Sequence, residues 1–166
     1  MKRIFAIILV AFALVACTPI QEQITVNDYQ LESLENVFLA QKQLQMGTSL
    51  MIDADNASCL NITLAALNAE LFNRNGKRVA TLALDTRKGE KKPTLHRKCS
   101  EQVTIPLLVG LDNPLSAITL ASMSPEDFAE KGYTVDYDCT FRAGLFSKRM
   151  RDSKVPVDQL VKMLQK

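Results

Sequence analysis

Few residues of this sequence combine a reactive type with a spacing that chemistry could use. Four cysteines, Cys17, Cys59, Cys99 and Cys139, supply thiols, and His96 is the sole histidine. His96 stands in a basic stretch with no Ser or Cys in a nucleophile motif, so a hydrolase triad gains no support. Asp53 with Asp55, and Asp136 with Asp138, are i, i+2 pairs. On a strand each pair faces one way, where two carboxylates could hold calcium or act as acid and base. The polar face of a half-buried strand gives the same pattern with no site at all. Cys59, Cys99 and Cys139 follow at intervals of 40 residues with no close Cys or His pair, which is unlike a zinc site. Neither a metal nor another cofactor is expected.

Cys17 has the most telling neighbours. Leu14-Val15-Ala16-Cys17 ends an apolar run that begins at Ile4 behind Lys2 and Arg3, the layout of a secretory signal peptide. The run falls short of the about 20 apolar residues that a permanent membrane helix needs. With a thiol at the cut point, the stretch resembles the lipobox of bacterial lipoproteins. That resemblance implies that Cys17 receives a diacylglycerol, that the chain is cut before it, and that the new amine is acylated. By the enteric rule for lipoproteins an Asp after the lipidated cysteine retains the chain at the inner membrane. Here Thr18 follows, and no dense acidic run comes after it, so the resemblance implies the outer membrane and its periplasmic face. The alternative is an ordinary cleaved signal peptide with Cys17 as a disulfide partner. The expected organisation is a signal peptide over 1–16, a tether over 17–23 and a single domain over 24–166.

Lys and Arg number 20 against 18 Asp and Glu, and the excess is Lys2 and Arg3 alone. Without them the chain is neutral, which gives no support to a nucleic-acid partner. What remains is long enough for one hydrophobic core. With Cys17 carrying lipid, three thiols are left in a compartment that permits disulfides, so one bridge at most can form.

The elements that must position these residues read as strands. Residues 24–26 open with β-branched side chains, and 34–44 is favoured as a strand over a helix. Leu50, Ile52 and Ala54 alternate with Met51, Asp53 and Asp55 before a turn at Asn56-Ala57-Ser58. A strand over 62–72 meets Asn75-Gly76, a pair suited to a tight hairpin turn, and 79–84 returns as its partner. Residues 85–100 are hydrophilic and basic, broken by Gly89 and Pro93. A strand over 103–111 contains Pro106, which predicts an edge or a bulge. Short helical turns are expected near 114–131, with Ser124 as N-cap and Pro125 in the first helical position. Tyr133, Val135, Tyr137, Cys139 and Phe141 form the longest clean alternation. A basic loop over 142–154, a short strand over 155–157 and an amphipathic helix over 158–165 close the chain. Many short strands with little helix predict a mainly β fold, an immunoglobulin or fibronectin-III-like antiparallel β-sandwich.

The pattern of 50–56, 62–72 with Gly76, 79–80, 103–112, and 133–144 followed by Val155-Pro156-Val157 resembles the group 2 late embryogenesis abundant (water-stress) domain. Ala57 stands where that family often has proline. The resemblance implies an immunoglobulin-like sandwich that is not enzymatic. If strand direction alternates, the loops at 56–61, 86–102 and 142–153 emerge at one end of it. Arg87, Lys88, Lys91, Lys92, Arg97 and Lys98 then lie beside Lys148, Arg149, Arg151 and Lys154, a candidate contact for an anionic surface. Cys59 and Cys99 reach the same end and could pair or stay free, while Cys139 packs in the core. The tether leaves from that end if 24–44 is one bent strand, and from the other if it holds two. These features predict a lipid-anchored, non-enzymatic interaction module whose partners are the membrane, through Cys17, and an envelope protein or lipid. The alternatives are a carrier holding an apolar ligand between its sheets, with Ala54, Ala66 and Ala69 lining the gap, and a calcium-dependent binding protein or hydrolase.

Overall fold

The computed structural model describes residues 24–31, 35–40, 43–87, 91–113, 120, 123, 125–157 and 159. Nine strands follow in chain order: β1 Ile24–Leu31, β2 Glu35–Ala40, β3 Gln43–Asn56, β4 Ile62–Phe72, β5 Arg78–Leu84, β6 Thr94–Leu95, β7 Cys99–Leu111, β8 Thr134–Ala143 and β9 Phe146–Pro156. A short helix, α1 Pro125–Glu130, precedes β8. All pairings are antiparallel, and the order β1-β3-β7-β5-β4-β8-β9 makes one curled sheet, with β2 added to β3 and β6 to β4. The sheet folds over so that β3 and β7 face β4 and β8, and the fold is a mainly β antiparallel sandwich.

Periodicity fixes which faces meet. Leu50, Ile52 and Ala54 of β3, Ile105, Leu107 and Leu111 of β7, and Val135, Tyr137, Cys139 and Phe141 of β8 all point inward and form one core. β4 breaks its alternation once. Leu64 and Leu67 are both buried because a bulge at Ala65 resets the register against β8. The β4–β5 hairpin is present, although its turn is longer than a two-residue loop. The Asn73 side-chain oxygen accepts the backbone N–H of Asn75 and of Lys77, both at 3.0 Å, and Gly76 takes the positive φ of 72°. At the end of α1 the chain turns through Gly132 at φ 68°, and Phe128 meets Tyr133 edge to face at 5.2 Å.

Four expectations are corrected or left open. Pro106 lies in a central strand, opposite Ser49 of β3, and neither at an edge nor at a bulge. Its carbonyl accepts the Asp85 N–H just past the last β5 pair, so its missing N–H faces the side where the ladder has already ended. The basic stretch over 142–154 is no loop: apart from a turn at Gly144 and Leu145 it belongs to β8 and the edge strand β9. β7 begins at Cys99, four residues before the expected Val103. The helix expected over 158–165 lies outside the described residues except Gln159, as do Ser124 and 114–119 of the expected helical turns.

Leu107 is fully buried in β7. Leu107→Ala should cost about 2–5 kcal/mol, the range for cavity-forming substitutions of this kind, read as a lower urea midpoint with an unchanged slope.

Candidate functional site

Register decides what gathers at one end of the sandwich. Ile24 is opposite Asn56, Asn56 is opposite Cys99, Ile62 is opposite Leu95 and Ala143, and Ala143 is opposite Phe146. The loop over 57–61, the segment over 96–98 and the β8–β9 turn therefore meet there. β1 and β2 both run antiparallel to β3, so they act as one bent strand in direction, and the chain enters the sheet at this end.

Asn56 holds the end together. It is 1% exposed, and its amide N–H groups donate to the carbonyls of Leu60, Leu95 and His96 at 3.0, 3.2 and 3.1 Å. Its oxygen accepts the Ser58 N–H at 3.0 Å and the Ser58 hydroxyl at 2.6 Å. The Lys98 N–H then donates to the Ser58 carbonyl, with Lys98 at φ 50°, and the Arg97 N–H donates to Asn61 Oδ1. Glu101 accepts from the His96 backbone N–H and lies 2.9 Å from His96 Nδ1. These two contacts, the backbone one first, hold the Glu101 carboxyl below its ordinary range.

The cationic residues divide by what they already hold. Arg87 grips the buried Asp85 with two bonds of 2.9 and 2.8 Å, which raises its own pKa. Arg149 clasps Asp138 and pulls that carboxyl below its ordinary range, chiefly through hydrogen bonding. Lys148 is half-buried two pairs from the β8–β9 turn, and Arg149, Arg151 and Lys154 run along β9 away from the end, not within a loop at it. Arg97, Lys98 and Arg142 are exposed at or one residue pair from the end, and Lys91 and Lys92 are exposed farther along. Lys88 and Cys17 lie outside the described residues.

Cys59 and Cys99 reach this end as expected, but both are exposed and free. They sit outside the core, where the Asn56 and Ser58 bonds fix the turn without a covalent link. Cys139 is buried, as its place on the β8 inner face predicts. Three of the four aspartates of the acidic pairs hold local partners, although Asp55 Oδ1 is buried with no hydrogen-bond partner. Asp136 accepts the Lys154 N–H at 2.7 Å across a bulge in β9, Asp138 holds Arg149, and Asp55 accepts from Asn27. Among the described residues no group of three His, Cys, Asp or Glu side chains could hold a metal ion. Ala54 and Ala69 are packed within the continuous core, and Ala66 is half-buried beside the bulge.

What periodicity missed is apolar. Leu60, Leu145 and Phe146 are the large hydrophobic side chains exposed among the described residues, at 39%, 103% and 75%, and all three lie at this end. The signal was legible as an apolar pair after Gly144, set between Arg142 and Lys148 where turn residues are usually polar. The assembled end is a crest of exposed apolar groups beside exposed cations, an arrangement suited to contact with a surface.

The sequence matches no family model and no curated protein. Its shape is similar to a protein from Archaeoglobus fulgidus at 10% identity and a TM-score of 0.41, over 78% of this chain and 92% of that one. An uncharacterised β-sandwich protein from Clostridium difficile is similar at 8% identity and a TM-score of 0.29, over 77% and 83%. Likeness at this level bears on no function.

Replacing Asn56 by Ala orphans the buried carbonyl of Leu95 and the part-buried carbonyls of Leu60 and His96. It should cost about 2–4 kcal/mol in urea unfolding, and amides of the 57–61 turn should lose hydrogen-exchange protection first. Asp138 and Glu101 have lowered folded pKa values, so their contribution is complete above the unfolded value of about 4 and is lost as pH falls through the folded one. The melting temperature should accordingly hold from neutral pH to about 5 and fall below about 4, with a shallower acid limb in Asp138→Asn.

Proposed function

We propose that this chain is a lipid-anchored, non-enzymatic β-sandwich module of a bacterial envelope. In this reading it is held by Cys17 at the periplasmic face of the outer membrane and acts as an interaction or accessory domain. The observation that carries the proposal is Leu14-Val15-Ala16-Cys17 behind a short apolar run and two basic residues. A second observation agrees with it. The first strand begins at Ile24, seven positions after Cys17, so an anchored thiol would pass into the sheet through a short tether. The resemblance to the water-stress domain supports a module that binds instead of one that reacts. His96 is spent on Glu101, Asp136 serves the Lys154 backbone and Asp138 holds Arg149, which leaves those residues with structural work. Thr18 in place of Asp favours the outer membrane.

Cys17→Ser removes the acceptor thiol. In cells the variant should persist as an uncut precursor with its signal attached, and the wild-type chain should carry acyl mass on Cys17. Normal cleavage and release from the membrane fraction in Cys17→Ser would refute the anchor.

A further inference from the structure

We propose that the crest formed by Leu60, Leu145 and Phe146 seats the domain end-on upon an anionic lipid bilayer. Leu145 and Phe146 enter the headgroup layer, and Arg97, Lys98, Arg142 and Lys148 lie over lipid phosphates.

The hairpin that builds the crest has no need of apolar residues. Its two turn positions are Gly144, at φ 60°, and Leu145, between the paired Ala143 and Phe146. A turn of this type calls for glycine at its first position and accepts polar residues at its second. Leu145 is nevertheless completely exposed, and Phe146 beside it is 75% exposed. The Leu60 Cδ2 atom lies 3.7 Å from where a Cβ on Gly144 would stand, so the loop over 57–61 extends the same apolar surface. A local rule broken at full exposure marks a contact site.

Charge selects the occupant. Among the described residues Arg97, Lys98, Arg142 and Lys148 make no ion pair, whereas Arg87 and Arg149 are committed to Asp85 and Asp138. Cations flanking exposed Leu and Phe fit a bilayer interface, where apolar groups sink to the acyl boundary and basic groups stay with the phosphates. A stable protein interface takes about 20–30 residues from each side, whereas the exposed large apolar side chains among the described residues number three. The chain also enters the sheet at this end, and seven extended residues span at most about 25 Å. This last point rests on the lipid-anchor reading; the crest and its cations do not.

The chain contains no tryptophan, so a single introduced one reports its own surroundings. The full chain carrying Leu145→Trp, and a second carrying Asn75→Trp in the hairpin at the opposite end, are placed with vesicles of phosphatidylglycerol brominated on the acyl chains. Leu145→Trp emission should shift to the blue and be quenched, and Asn75→Trp emission should do neither. Phosphatidylcholine vesicles, or Lys98→Glu with Arg142→Glu, should weaken the quenching. Emission from Leu145→Trp that stays water-like on anionic vesicles overturns the proposal, including the case of a crest that serves a protein partner. Intact mass reports acylation of Cys17 separately. An acylated chain with unquenched Leu145→Trp removes this inference and leaves the anchor, and an unacylated chain that is quenched on adding vesicles does the reverse.

Discussion

Burying a primary amide is costly unless its donors and acceptor are used, and Asn56 uses all of them. Three carbonyls share its two protons while Ser58 fills its oxygen, so the last residue of β3 is tied to the loop over 57–61 and to the segment between β6 and β7. Those segments come from both sides of the folded sheet. One side chain thereby closes the end of the sandwich, and the crest above it inherits its position. The same burial makes Asn56 unusable as a glycan acceptor, although Asn56-Ala57-Ser58 has the form of one.

From that closure the geometry of the end follows. Lys98 takes a left-handed conformation because its N–H is needed by the Ser58 carbonyl, and this turns Arg97 and Lys98 outward. The β8–β9 turn lies against Leu60, so an apolar ridge and a pair of cations share one edge of the molecule. Farther along, Arg87 and Arg149 do different work, since each is hydrogen-bonded to a carboxylate of the sheet's own residues. Cations that look alike in the sequence are thus divided between holding the fold and facing outward.

Much of the sandwich was legible in the sequence because strict alternation leaves few choices. β8 is the clearest case, with Val135, Tyr137, Cys139 and Phe141 inward and polar residues outward, and β3 and the β4–β5 hairpin follow the same logic. β9 resembles a loop in sequence because an edge strand shares little of its surface with the core and carries charge in place of a clear alternation. Pro106 misled because proline is excluded from a ladder only where the ladder exists, and β5 stops one residue short of needing it. The free state of Cys59 and Cys99 depends on a turn geometry that spacing cannot give. The crest is hidden in the sequence because only the register shows Phe146 in the last β8–β9 pair and Leu145 in the turn beyond it.

The two margins of the sheet carry one more consequence. β1 is bulged at Asn27 and β9 at Ser153 and Lys154, and β9 lines its outer side with Arg149, Arg151 and Lys154. Bulges twist a margin out of line, and like charges meet when two copies approach it. Among the described residues these two edge strands offer no straight template on which a second copy can add a strand. Two copies of the molecule are thereby kept from joining their sheets along β1 or β9.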